Sequence, residues 1–212
     1  MNVDMVIDRI ATRVDKLLKC PVIPIEASGR HVHLSEEALG KLFGAGSKLT
    51  HVSDLSQPGQ YVCKERIRLA GPKGEFPSVV VLGPVRKETQ VEVSATDALA
   101  LGIKAPVRQS GHIAGTPGAK LTGPAGELEL SYGVIIAQRH IHMTPEDATR
   151  WNLEDGQTVS VRVFTDRPTT FNGVVLRVSP DFKTFMHIDY DEANACGFTK
   201  GMAGIIVQDT LN

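Results

Sequence analysis

The chain has 212 residues, of which 42% are apolar and 22% charged, an ordinary globular balance that excludes a disordered, collagen-like or coiled-coil protein. Its length allows one large domain or two small ones. With 23 basic and 24 acidic side chains the net charge is -1, which leaves no overall positive field for a nucleic-acid backbone, so we expect no nucleic-acid partner.

Residues 1–20 form the first predicted element, an amphipathic helix. Apolar residues recur there at i, i+3, i+4 and i+7, charged residues cover the opposite face, and Pro21 and Pro24 end the helix. The segment lacks a continuous apolar run, so we expect neither a signal peptide nor a membrane span. Two interpretations remain open. The helix packs on its own domain, or it is a tag that packs on a partner helix or shell protein.

Beyond residue 21 the sequence predicts a mainly β fold with short helices. Short runs rich in β-branched residues alternate with glycine and proline. Ser35 and Thr144 have the pattern of helix N-caps, because acidic residues follow them in the first turn. Helices are expected after Ser35, Thr96, Thr144 and Asp191. The predicted strands lie at 78–82, 90–93, 134–137, 158–164, 173–178 and 204–207.

A Gly/Pro-rich segment predicts a boundary in the middle of the chain. Residues 110–126 contain five glycines and two prolines. We therefore place a connecting loop at 110–127, between a first β-barrel half at 22–109 and a second at 128–212.

An internal repeat supports two related β-barrel domains that arose by duplication. The segment Arg-His-Val-His-Leu-Ser at 30–35 returns 109 residues later as Arg-His-Ile-His-Met-Thr at 139–144. A second match, at an offset of 95, pairs Phe76 with Phe171 and Thr89 with Thr184. Because the offset falls from 109 to 95, the first half is expected to hold about 14 extra residues in the region 50–75.

The repeat also predicts a metal centre. It aligns Glu92 with His187, so each half supplies two histidines at i and i+2 and one further residue able to bind a metal. On a strand, i and i+2 side chains share a face about 6 to 7 Å apart. A single His-x-His pair is commonly satisfied by backbone groups, but two pairs in matched contexts favour ligands. Three protein ligands and an open position are typical of catalytic zinc, and two such sites would use His31, His33, Glu92, His140, His142 and His187.

Two further residues are candidates for substrate binding. The offset of 95 places Arg86 opposite Asp181, so Arg86 departs from the internal symmetry. Its guanidinium could lie beside the metals and bind an oxyanion with two hydrogen bonds, or it could be a solvated turn residue. Ser110, in a Gln-Ser-Gly turn, could contact the substrate or simply cap the loop.

Several motifs together resemble the PduL-type phosphate acyltransferases, in order and with the expected spacing over residues 22–208. They are the two His-x-His segments, Leu-Gly-Pro-Val-Arg followed by Gln-Val-Glu-Val-Ser, Val-Arg-Gln-Ser-Gly-His with a downstream Gly-Thr-Pro-Gly, and His-Ile-Asp-x-Asp-Glu-Ala-Asn. The resemblance implies two β-barrel domains with short capping helices, two zinc ions per chain between them, and a homodimer.

The resemblance also implies an activity, the exchange of a short acyl group between coenzyme A and phosphate, typically propanoyl-CoA to propanoyl phosphate. The zinc ligands of such enzymes fall on the six residues named above, and the phosphate-binding arginine falls on Arg86. Many members carry an amphipathic extension that directs them into a bacterial microcompartment. Residues 2–19 look like such an extension, which implies a shell-protein partner and a location in the microcompartment lumen, or otherwise in the cytoplasm.

Alternatives to this reaction remain at the sequence level. A dinuclear zinc hydrolase of thioesters could use the same ligands to activate water, and a non-catalytic shell-associated protein would need only residues 2–19. Direct attack of phosphate is the preferred route. A covalent route through Cys63 or Cys196 lacks a Cys/His/acid arrangement. Three widely spaced cysteines, with Cys20 the third, also favour a reducing compartment. No Gly-rich phosphate loop marks a coenzyme A pocket.

Overall fold

The structure is a computed structural model that describes residues 21–207 together with residues 6, 7 and 9. This part of the chain is mainly β, as predicted, with short helices between strands. The helix predicted over residues 1–20 lies almost wholly outside the described residues, and both interpretations of it stay predictions.

Six strands close into a barrel. Their order around it is β1-β14-β11-β13-β12-β15. Most neighbours are antiparallel, but β1 runs parallel to β14 and β11 runs parallel to β13. The barrel strands are β1 (Val22–Ser28), β11 (His140–Met143), β12 (Thr158–Val163), β13 (Thr169–Val178), β14 (Phe185–Asp189) and β15 (Ala203–Val207).

Within residues 21–207 the other nine strands form a curled half-barrel sheet, so only one of the two predicted β-barrels is closed. The path β7-β10-β6-β2-β5-β4-β8-β9 does not close, because its end strands do not pair with each other in the described part of the chain, and β3 lies off this path and pairs with β4. The strands are β2 (His31–His33), β3 (His51–Asp54), β4 (Tyr61–Ala70), β5 (Glu75–Gly83), β6 (Gln90–Glu92), β7 (Val107–Arg108), β8 (Ala119–Thr122), β9 (Glu127–Leu130) and β10 (Val134–Ala137).

The strand that precedes each His-x-His segment pairs with the opposite half of the sequence. Strand β1 enters the barrel and pairs with β14 and β15, whereas β10 enters the open sheet and pairs with β6 and β7. Only residues 29–30 link β1 to β2, and only residues 138–139 link β10 to β11. Strands β1 and β10 therefore pair outside their own half of the sequence, and both His-x-His segments lie at the seam between the two sheets.

Each sheet encloses its own apolar core. Leu34, Leu69 and Leu121 are fully buried in the open sheet, and Ile141 and Leu176 are fully buried in the barrel. Burial of such side chains is worth about 1.5 to 3 kcal/mol each and holds the strands in register. The two cores thus hold both sheets in place on either side of the seam.

Four helices cap the strands within residues 21–207. The hydroxyls of Ser35 and Thr144 accept N–H bonds at the first turns of α1 and α3, as predicted. The other two helices start two residues earlier than expected, because Ser94 and Asp189 are their N-caps. All are far too short to span a lipid bilayer. They are α1 (Glu36–Phe43), α2 (Ala95–Leu101), α3 (Pro145–Trp151) and α4 (Tyr190–Cys196).

Candidate metal centre

The first group of predicted ligands comes together on two adjacent strands. His31 and His33 extend from β2, and Glu92 lies on β6, where antiparallel pairing sets it opposite His31. The Nε2 atom of His31 is 3.4 Å from the Oε2 atom of Glu92. One ligand atom from each residue lies within 4.8 Å of the others, so the three can hold one metal ion. We call this group the carboxylate triad.

The second group has the same arrangement in the barrel. His140 and His142 extend from β11, and antiparallel pairing sets His187 of β14 opposite His140. The ring centroids are 4.7 Å apart for His140 and His142, and 5.2 Å apart for His140 and His187. Their ligand atoms also lie within 4.8 Å of one another. We call this group the histidine triad.

The hydrogen bonds indicate which imidazole nitrogens are free to bind a metal. Nδ1 of His31 is 2.8 Å from the carbonyl oxygen of Gly29, and Nδ1 of His140 is 2.8 Å from that of Gln138. A carbonyl can only accept, so both Nδ1 atoms carry the proton and both Nε2 atoms offer a lone pair. Each triad thus has one Nε2 ligand whose ring orientation is fixed by its own backbone.

The second histidine of each pair presents a different atom. Nδ1 of His33 and Nδ1 of His142 are buried and have no hydrogen-bond partner among the residues that the structure describes. An unpaired buried polar atom is costly and rare in native proteins. A metal ion bound at each triad would satisfy both atoms, so the residues fit the predicted metal centre.

Protonation states also suit metal binding. Burial, reinforced by the neighbouring imidazoles, lowers the pKa of His142 to about 2 and that of His187 to about 3. Burial likewise holds the pKa of His33 well below its usual value and lowers the pKa of His140. These imidazoles are neutral at pH 7, which is the form that binds metals.

Glu92 is ionised in the same cavity. Its burial disfavours the charge, but His31, His33 and Arg86 outweigh that effect and lower the pKa of the carboxyl to about 2. The carboxylate triad therefore carries a negative charge, whereas the histidine triad carries none.

Arg86 and Ser110 lie together beside the carboxylate triad. The backbone N–H of Arg86 donates to the carbonyl of Leu34, which anchors the turn next to β2. The guanidinium is partly buried, and its Nη1 donates to the hydroxyl of Ser110 at 3.1 Å. The arginine therefore faces the cavity instead of being a fully solvated turn residue.

Gln90 connects these groups, and sequence reasoning missed it. Its Nε2 donates to Glu92 Oε1 at 2.5 Å and to Ser110 Oγ at 2.7 Å, while its Oε1 accepts the N–H of Gly111 at 2.7 Å. The residue is 2% exposed. One signal was available, because Gln90 stands two residues before Glu92 and so shares its face of β6.

Gln57 was also missed, and it reaches the histidine triad from the open sheet. It comes from the region in which extra residues were expected, and its amide pairs with both backbone groups of Lys183 at 3.1 and 3.3 Å. Its Nε2 is 3.4 Å from Nε2 of His187. Because Gln57 and His187 are 130 residues apart, no local pattern could reveal the contact.

All eight predicted site residues line one cavity of about 630 Å³ at the seam. The two described cysteines do not join them. Cys63 and Cys196 are buried, and burial raises the pKa of both thiols, that of Cys63 to about 11. Neither is a ready thiolate nucleophile.

Comparison with known proteins identifies the family to which the chain is similar. A family model described as phosphate propanoyltransferase matches residues 24–199. The chain is similar to the phosphate propanoyltransferase of Listeria monocytogenes, at 55% identity over 99% of both chains. That of Enterococcus faecalis is 60% identical over 87% of both chains, and that of Salmonella typhimurium is 46% identical over 93% of both chains.

Proposed function

Since the chain belongs to the phosphate propanoyltransferase family of acyltransferases, we propose that it converts propanoyl-CoA and phosphate to propanoyl phosphate and coenzyme A. Acetyl-CoA is a second candidate substrate. The observation that carries the proposal is the single cavity in which two metal-binding triads and Arg86 converge.

The proposed cofactor is zinc, with two ions per chain. Three nitrogen or oxygen ligands at each triad match the ligand number and type of catalytic zinc sites. When bound, divalent cations supply Lewis acidity, which polarises a carbonyl and offsets the charge of phosphate. The unpaired Nδ1 atoms of His33 and His142 support this assignment.

Arg86 is the proposed phosphate-binding residue. Its planar fork matches two phosphate oxygens, and its hydrogen bond to Ser110 orients the guanidinium toward the cavity. Ser110 is proposed to contact the same substrate oxygen atoms through its hydroxyl. Gln90 holds Ser110 and Glu92 in place, so the charged groups of the site need little reorganisation when phosphate arrives.

The proposed reaction is direct attack. A phosphate oxygen forms a bond to the thioester carbonyl carbon as the carbon–sulfur bond breaks, and the proton released by phosphate ends on the departing thiol. Partial burial of the cavity limits attack by water. The buried, protonated cysteines support this route over one through an acylated cysteine.

Thiol release from propanoyl-CoA with and without phosphate tests the proposal. We expect release to require phosphate and propanoyl phosphate to form in equal amount. Release that is independent of phosphate would instead identify a thioester hydrolase that uses the same residues.

We further propose that the two parts of the fold arose by duplication, with the boundaries given above. The matched pairing of His31 with Glu92 and of His140 with His187 supports this origin, as does the reciprocal exchange of β1 and β10. A homodimer, a shell-protein partner and location in a microcompartment lumen remain proposals from the resemblance. Deletion of residues 2–19 should leave activity intact and abolish co-purification with shells, whereas lost activity would place the segment in the fold.

A further inference from the structure

Arg177 lies beside the histidine triad on the wall of the cavity. Strands β11 and β13 run parallel, and their register pairs His142 with Arg177. Paired residues on neighbouring strands project from the same face of a sheet. Arg177 lines the same cavity as Arg86 and is partly buried there.

The guanidinium of Arg177 has no ion-pair partner among the described residues. No side-chain hydrogen bond to Arg177 is found within residues 21–207 either, and its guanidinium lies 5.9 Å from the ring of Phe182. By contrast, Arg30 pairs with Asp97 at 2.6 Å and Arg139 pairs with Glu192 at 2.7 Å. A partly buried cation without a partner is costly, and a bound anion would offset that cost.

The other half of the molecule shows that the fold does not require an arginine at this position. The offset of 95 sets Leu82 opposite Arg177, and Leu82 lines the same cavity next to the carboxylate triad. An apolar side chain therefore serves at the matched point of the open sheet. The arginine adds a positive charge that packing alone does not explain.

Two arginines thus meet at the cavity, one from each sheet. Arg86 already has a guanidinium whose pKa is lowered, first by burial and in part by the nearby charge of Arg177. The two positive charges repel each other, and a dianion bound between them would offset this repulsion. The ionised carboxylate of Glu92 is close enough to Arg86 for the positive charge of the arginine to lower the pKa of Glu92.

We propose that Arg177 is a second binding residue for the phosphoryl dianion, so that Arg86 and Arg177 grip inorganic phosphate, and the phosphoryl group of the acyl phosphate, from opposite sheets. The proposal rests on the proposed function. It gives the histidine triad's side of the cavity a side chain that binds phosphate directly. The predicted residues on that side are metal ligands only.

Coenzyme A also carries phosphoryl groups, and the test separates the two sources. Arg177→Leu introduces the residue that stands at the matched position, and Arg177→Lys keeps the charge. The control is Arg162→Leu, because Arg162 is an exposed arginine of the same barrel that lies outside the cavity lining. Each variant is assayed with propanoyl-CoA and with propanoyl-pantetheine, which lacks the coenzyme A phosphates.

We expect Arg177→Leu to raise the KM for phosphate at least about tenfold with both thioesters, the scale of one lost charge-assisted hydrogen bond. Arg177→Lys should recover part of the loss, and Arg162→Leu should match the wild type. Titration calorimetry with inorganic phosphate alone should show the same weakening, with the metal content unchanged.

Two results would overturn the proposal. One is an unchanged KM for phosphate in Arg177→Leu, and the other is a defect confined to the KM for propanoyl-CoA and absent with propanoyl-pantetheine. Failure of the proposed function is a different result, because the wild-type protein itself would then form no propanoyl phosphate.

Discussion

The carboxylate triad and the histidine triad share one backbone frame but differ in the side chains around it. His31 is paired with Val80 and Glu92, and His140 is paired with Val175 and His187, so the registers match residue for residue. The polar groups do not match. Gln90 lies opposite His33, whereas Phe185 occupies the equivalent position opposite His142.

The difference lies in charge and in hydrogen bonding. The carboxylate triad is anionic and is held by Gln90, with Arg86 close by. The histidine triad is neutral, packs against the ring of Phe182, and has Arg177 close by. A repeated frame can thus supply two metal sites while the residues around the frame give each site its own electrostatic character.

The largest expected effect is loss of a ligand from either triad. His33→Ala and His142→Ala should each lower phosphate-dependent turnover by more than about 100-fold, which exceeds the usual effect of changing a residue that only supports a ligand. Each variant should retain one of the two metal ions, as measured by elemental analysis. His51→Ala is the control, because His51 is exposed and outside the cavity. Wild-type turnover in either ligand variant would contradict the claim that both triads are needed for activity.

The next effect separates the two sides of the cavity. Arg86→Ala should lower phosphate-dependent turnover by about 100-fold, because it removes a fixed positive charge from the site of charge development. Lys87→Ala, the exposed neighbour, should behave as the wild type. Thiol release at varied phosphate concentration measures both. Unchanged turnover in Arg86→Ala would remove the role assigned to that residue.

A smaller effect distinguishes the surroundings of the triads. Gln90→Ala should weaken metal binding at the carboxylate triad by about tenfold and leave the histidine triad unchanged, since Gln90 donates only to the Glu92 side. Competition with a chelator measures the two affinities. Gln157→Ala, in an exposed barrel turn, is the control. Equal weakening of both sites would mean that Gln90 supports the seam as a whole.

The smallest effect tests what the two halves share. Arg30 and Arg139 precede the two His-x-His segments and pair with Asp97 and Glu192, on the helices that follow Glu92 and His187. Both arginines are about one-third exposed, so Arg30→Lys and Arg139→Lys should each cost about 1 kcal/mol or less of unfolding free energy. Urea denaturation measures both. A loss of several kcal/mol in only one variant would show that the two ion pairs are not equivalent.

Much of the site could be predicted because its information is local and repeated. The spacing of His31 and His33 sets both on one face of a strand, and the repeat then identifies Glu92 and His187 without knowledge of the fold. Register follows from the same alignment, since Val80 and Val175 occupy matched pairs.

The rest depends on contacts between distant segments or on departures from the repeat. The transfer of β1 to the barrel leaves no periodic signal, because a strand's alternation is the same whichever neighbour it pairs with. Gln57 contacts Lys183 across 126 residues. Arg177 was missed because its place in the cavity depends on the pairing of β13 with β11, which sets it beside His142.

Stepwise addition of zinc to metal-free protein, with thiol release from propanoyl-CoA and phosphate followed at each step, tests the central claim most directly. The account predicts that activity needs both triads, reaches its maximum at two ions per chain and stays there on further addition. Full activity in protein that contains no transition metal, or at one ion per chain, would contradict it.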